Sequence, residues 1–94
     1  MRVILLLPGA LRQHAGGAGR LDLDLQPDPT LGIALDALVA LYPALERRLR
    51  DEQGRLRRYV NLFVDGEECR RLAGPDTPLH DGTEIQIIPS IAGG

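Results

Sequence analysis

Residues 20–42 read Arg20-Leu21-Asp22-Leu23-Asp24-Leu25-Gln26-Pro27-Asp28-Pro29-Thr30-Leu31-Gly32-Ile33-Ala34-Leu35-Asp36-Ala37-Leu38-Val39-Ala40-Leu41-Tyr42, and within them the apolar period changes from two to 3.6. Up to Leu25 every odd position is leucine and the even ones are charged. That alternation predicts a strand with odd positions inward. Pro27-Asp28-Pro29 breaks it, and Thr30 is placed to cap a helix, its hydroxyl accepting from a backbone N–H of the first turn. From Leu31 the spacing is helical, with Leu31, Ala34, Leu35, Leu38, Leu41 and Tyr42 on one face. Pro43 ends this helix near Tyr42, because it lacks the N–H and its ring meets the preceding turn.

Before this stretch, Met1 to Leu7 is an apolar run stopped by Pro8-Gly9, which favours a strand. Pro8 to Gly19, rich in Gly and Ala, reads as a loop, so the first two strands form an antiparallel pair with a long connection. After it, Leu45 and Leu49 sit four apart in a second, weaker amphipathic piece, and Asp51 to Gly54 is a polar loop. Arg57 to Val64 reads as a strand with Val60, Leu62 and Val64 inward. Asp65-Gly66 is a turn signal before a short return strand, Glu67 to Arg70. Gly74 to Pro78 is loop and Asp81-Gly82 another turn. Thr83 to Ile88 alternates again with Ile85 and Ile87 inward, and the chain leaves the sheet at Pro89. A helix with one apolar stripe must lie across one face of a sheet to bury it. The expectation is therefore an α+β, β-grasp (ubiquitin-like) fold: a mixed sheet of about four to five strands with one main helix on one face. Residues 1–90 would be the domain and 91–94 a flexible C-terminal Gly-Gly tail.

The chain has 94 residues, room for one domain. With 3% aromatic residues, the core must be aliphatic. A net charge of −2 argues against nucleic acid as the main partner. All 11 basic residues are Arg, so no lysine amine exists here to accept an isopeptide bond. One cysteine, Cys69, excludes an internal disulfide and any multi-thiolate metal site, and suits a reduced, cytoplasmic setting. Val3 to Leu7 is too short to span a bilayer and lacks the form of a signal peptide, so no membrane partner is expected.

Conventional catalytic constellations are weak. His14 and His80 fall in predicted loops with no supporting cluster, and no metal site is expected. Ser90 has no His-Asp partner in local reach. Gly9 to Gly19 fails as a phosphate loop, since no Gly-Lys-Ser/Thr is present and a strand follows it. Asp22 and Asp24 share the wet side of a strand, where solubility rather than paired acid–base work is the fitting role. Arg47, Arg48, Arg50, Arg55, Arg57 and Arg58 read as a solvated face, with contact to an acidic partner as the alternative. Cys69 reads as an inert thiol rather than a persulfide carrier, although Arg70 and Arg71 adjoin it.

Two features carry more. By alternation, Ile4, Leu6, Tyr59, Phe63 and Ile88 point away from the helix-covered face. Such a row belongs to a hidden core or to a docking patch, and too few elements remain to cover it. The second feature is the end, Ile91-Ala92-Gly93-Gly94, directly after the last strand. Glycines without a Cβ fit a narrow channel, so an enzyme could reach the terminal carboxylate without touching the fold.

Taken with Leu7-Pro8, Leu11-Arg12, His14 and Gly16-Gly17, with Arg58 to Val64 and Arg70, and with Asp81-Gly82 through Ile88-Pro89 to Gly93-Gly94, the chain resembles the MoaD/ThiS-type ubiquitin-like sulfur carriers. The similarity is greatest to their CysO-like, cysteine-synthesis branch. The resemblance implies a carrier rather than an enzyme, with no cofactor of its own. A ubiquitin-activating-type adenylating enzyme would activate the Gly94 carboxylate, and Gly93 would thread its channel. Sulfur would then replace AMP to give a thiocarboxylate. The acceptor enzyme would be cysteine synthase-like or, as the alternative, the molybdopterin synthase large subunit. Ile4, Leu6, Tyr59, Phe63, Ile88, Ile91 and Ala92 would form the partner-binding surface. A ubiquitin-like protein modifier or interaction module is a further reading compatible with the Gly-Gly end.

Overall fold

The computed structural model describes residues 1–89. Five strands, β1 (Arg2–Leu6), β2 (Arg20–Asp24), β3 (Val60–Val64), β4 (Glu67–Glu68) and β5 (Glu84–Pro89), form one sheet in the order β2-β1-β5-β3-β4. β1 and β5 are parallel and central; every other pairing is antiparallel. Helices α1 (Leu31–Leu41) and α2 (Pro43–Leu49) follow β2. This is the β-grasp arrangement expected from the change of period at Pro27.

The local reasons match the sequence. Thr30 Oγ1 accepts from the Ile33 N–H at 3.3 Å, and Pro43 opens α2, where a missing N–H costs nothing. Asp65 and Gly66 both have positive φ, 48° and 90°, the backbone that a tight hairpin between β3 and β4 requires. Asp65 Oδ1 also accepts from the Glu84 N–H at 2.9 Å, tying that turn to β5. At the other end, the Asp81-Gly82 turn holds β1: Asp81 Oδ1 accepts from Arg2 N–H at 2.8 Å and Gly82 N–H donates to Arg2 O at 2.7 Å.

One face of the sheet and the helices share an aliphatic core. Val3, Leu5, Leu21, Leu23, Val60, Leu62, Val64, Ile85 and Ile87 are buried from the sheet; Leu31, Ala34, Leu35, Leu38, Leu45 and Leu49 are buried from the helices. Leu38 is fully buried. Leu38→Ala should therefore cost about 2–5 kcal/mol, read as a lower urea midpoint at unchanged slope. A cost near zero would mean that α1 does not close the core.

Several expectations need correction. Pro8 to Gly19 is not all loop: Gly9–Ala15 is a 3-10 helix that buries Leu11 and Ala15 and packs on α2, and His14 lies in it. Its apolar spacing is too short to separate from a loop by period. The third strand begins at Val60, not Arg57, because Arg57 is turned back so that its N–H donates to Leu49 O at 2.9 Å. The return strand stops at Glu68, where the Glu68 carboxylate accepts from Arg70 N–H and starts a 3-10 turn, Cys69–Arg71. Gly74–Asp76 is a further 3-10 turn. Leu41, expected on the buried face of α1, is 59% exposed. Arg50 is not on a solvated face: its side chain is 12% exposed, donating to Glu46 at 2.7 Å and to Asp36 at 2.9 Å, and so ties α2 to α1.

Candidate functional site

The site is the sheet face opposite the helices, and strand register assembles it. The parallel β1–β5 pairing sets Ile4 beside Glu84 and Leu6 beside Gln86. The antiparallel β3–β5 pairing sets Phe63 on the other side of Gln86 and Asn61 beside Ile88. Leu6, Gln86 and Phe63 thus form a row across three strands, with Ile88 and Asn61 in the next row toward the end of β5. Ile4, Leu6 and Phe63 are half-buried; Ile88 is 40% and Tyr59 45% exposed. The structure therefore brings Ile4, Leu6, Phe63 and Ile88 onto one face, with Tyr59 just before β3. Ile91, Ala92, Gly93 and Gly94 lie outside the described residues, as does Ser90.

Two arginines frame this face where β5 ends. On the β1 side a groove of about 340 Å³ is bounded by Leu6, Pro8, Arg12, Gly19, Gln86 and Ile88. The Arg12 Nε–H donates to Leu7 O at 3.1 Å, which fixes the side chain along the groove. Gly19 makes room for it, since a Cβ there would lie 3.0 Å from the guanidinium carbon. On the β3 side, Arg70 donates to Asn61 Oδ1 at 3.3 Å and to Arg57 O at 2.9 Å, with Glu68 3.6 Å away. Periodicity could not place Arg12 and Arg70 here, because both arrive from short 3-10 segments. Their only sequence signal was membership in the resemblance.

The residues considered for other chemistry are dispersed. His14 is half-buried beside Gln13, and His80 is exposed. Among the described residues no group of three or more His, Cys, Asp or Glu could hold a metal ion, and no helix is long and apolar enough to cross a membrane. A cavity of about 300 Å³ reaches Leu31, Leu35, Arg50, Leu56, Cys69 and Arg70. Its arginines, Arg50, Arg55 and Arg70, already face Asp36, Glu46, Asp51 and Glu68.

Cys69 is buried, and burial, then the adjacent Glu68 carboxylate, pushes its thiol up to about 11. The thiolate is the nucleophile, so at neutral pH Cys69 should resist iodoacetamide in the folded chain and react only in denaturant. Equal labelling in both conditions would show that the site opens.

Comparison with known proteins gives a consistent picture. A sequence model of the ThiS family matches residues 5–94. The chain is 35% identical to the sulfur carrier protein CysO of Mycobacterium tuberculosis, over 100% of both chains. It is 36% identical to small archaeal modifier protein 1 of Haloferax volcanii, over 86% of this chain and 88% of that one. It is 33% identical to the molybdopterin synthase sulfur carrier subunit of Mycobacterium tuberculosis, over 100% and 99%. Among solved structures, it superimposes on Haloferax volcanii small archaeal modifier protein 1 with a TM-score of 0.83 at 32% identity, covering 100% of both. A chain of the Amycolatopsis orientalis BexX/CysO complex gives a TM-score of 0.81 at 28% identity, covering 98% and 99%.

Proposed function

The chain belongs to the ThiS family of sulfur carriers, and from that premise we propose that its working group is the carboxylate of Gly94, loaded with sulfur by partner enzymes and spent in cysteine synthesis. Residues 1–90 are the body that partners recognise, and 91–94 the segment that a partner's channel takes in. The carrying observation is that, among the described residues, no element covers the row Leu6–Gln86–Phe63 with Ile88 and Tyr59, which crosses β5, the strand leading to the proposed reacting group. Apolar side chains left exposed at that position fit an enzyme surface that must grip the body while holding the end of the chain.

The chemistry follows from the carboxylate. An adenylating enzyme of the ubiquitin-activating type binds ATP; a Gly94 carboxylate oxygen attacks the α-phosphorus and pyrophosphate leaves. The product is an acyl-adenylate, in which a poor electrophile has gained a good leaving group. Hydrosulfide adds to the carbonyl carbon and AMP departs, leaving a thiocarboxylate. The terminal sulfur is then a nucleophile at neutral pH. In this reading the chain supplies the reacting carboxylate and the body that partners recognise, and neither the ATP site nor a cofactor; it is a co-substrate rather than a catalyst.

Similarity to CysO over the full length favours an activated serine derivative on a cysteine synthase-like enzyme as the acceptor. The 33% identity to a molybdopterin synthase carrier subunit supports a second reading, with a pterin precursor on the large synthase subunit. Likeness to an archaeal modifier supports a third, attachment of Gly94 to amines of target proteins. Presenting the loaded chain to each acceptor system separates them. The sulfur attacks the activated carbon and leaves cysteine joined to Gly94 as a thioester, so cysteine appearing as this adduct, and free once water cleaves it, is the expected result. Sulfur incorporation into the pterin alone, or covalent conjugates alone, would overturn the cysteine assignment.

A further inference from the structure

Among the described residues β2 is an edge strand, paired only with β1. Its bonds to β1 fall at odd positions: Leu7 N–H donates to Gly19 O at 2.9 Å and Leu25 N–H to Met1 O at 2.8 Å. The N–H and C=O groups of Arg20, Asp22 and Asp24 therefore point along the open edge, ready to pair with another strand. Above this edge stands the end of α1. Leu21, Leu23, Leu41 and Tyr42 line a shallow groove of about 410 Å³, and Leu41 is the most exposed large apolar residue of the described chain.

From this edge we infer that the chain forms a two-fold dimer through β2, and that its occupant is a second copy of itself. The charge pattern selects the register. Arg20, Asp22 and Asp24 lie on the open face of the sheet, and antiparallel pairing about a two-fold axis sets each opposite a residue of the copy. An axis at Arg20 opposes Arg20 to Arg20. One at Asp22 opposes Asp22 to Asp22, with Arg20 against Asp24 on both sides, and one at Leu23 opposes Asp22 to Asp24 twice. Arg20 already bonds Asp22 of its own strand at 2.9 Å; an axis at Leu21 sets two such pairs across the seam, Arg20 opposite Asp22 on both sides with Leu21 against Leu21, and it alone opposes no like charges. Opposite charges directly across strands stabilise and like charges destabilise.

In that register the two sheets join into one of ten strands, and both sets of helices lie on the same side. Leu21 from each copy meets at the centre of the seam, where the two α1 ends bring Leu41 toward it. This accounts for a residue that helical spacing assigns to a buried face and the monomer leaves exposed. The two β5 strands run in opposite directions, so the proposed working ends leave from opposite ends of the dimer and the outer faces stay open.

Sedimentation equilibrium up to about 1 mM tests the dimer. The wild-type chain should pass from monomer mass to twice that mass. Arg20→Asp puts acids at both position 20 and position 22, and Asp22→Arg puts bases at both. Each variant should remain folded by circular dichroism and dimerise about tenfold more weakly or worse. Mixed together, they should restore association, because every cross-strand pair is again opposite in charge. A wild-type chain that stays monomeric, a single variant that dimerises as wild type does, or two folded variants that fail to associate with each other would overturn the inference.

Discussion

The chain lacking Gly94 is expected to fold normally and to lose sulfur loading by more than about 100-fold. Among the described residues the aliphatic core runs from Val3 to Ile87, and a glycine has no side chain to bury in it. Its deletion still leaves a carboxylate, now on Gly93, but withdrawn by one residue, roughly 3.5 Å of extended chain. A misplacement of about 1 Å already costs on the order of 10²-fold when reacting atoms must be aligned. Gly93→Val should fail for a different reason: it keeps the length and adds a β-branched side chain where the proposed channel needs bare backbone. Unfolding midpoints of both variants should match wild type. A variant that loads sulfur as fast as the intact chain would remove Gly94 from the mechanism.

Phe63→Asp is expected to weaken binding to the adenylating enzyme by roughly 30-fold, the loss typical of a buried aromatic anchor. Phe63 is half-buried between Gln86 of β5 and Glu68 of β4. An aspartate there removes the ring from the β3 end of the row Leu6–Gln86–Phe63 and adds a like charge beside Glu68. Most of the core lies on the other side of β3, so the fold should survive. Phe63→Leu should retain most of the affinity, which separates contact from a structural effect. Calorimetric titration against the enzyme reads both variants. Full affinity in a folded Phe63→Asp chain would move the docking surface off this face.

How far the sequence reached is clear from particular residues. Leucines alternating with charges from Arg20 to Leu25, and the switch to helical spacing after Pro29, marked β2 and α1 with their inward faces, because one period was long enough in each to be unambiguous. Asp65-Gly66 and Asp81-Gly82 marked turns, since the hairpin backbone at Asp65 and Gly66 and the positive φ of Gly82 suit those residue types. The outer row also followed from alternation, because inward Leu5, Leu62 and Ile87 force Leu6, Phe63 and Ile88 outward. Three-residue and seven-residue 3-10 segments were missed, being shorter than a period can reveal. Arg50 could not be told from its neighbours in an arginine-rich stretch; only tertiary packing brings Asp36 and Glu46 to it. Arg12 and Arg70 join the site from short 3-10 segments, again through tertiary packing. The tail was legible only as a string at the end of a strand, and its meaning came from resemblance rather than from folding physics.

The central claim is most directly tested by intact mass after incubation with the adenylating enzyme, ATP and hydrosulfide. The account predicts that the chain exchanges one oxygen for one sulfur, that alkylation places the sulfur at Gly94, and that Cys69→Ser changes neither. Sulfur mapped to Cys69, or equal gain by the chain without Gly94, would contradict it.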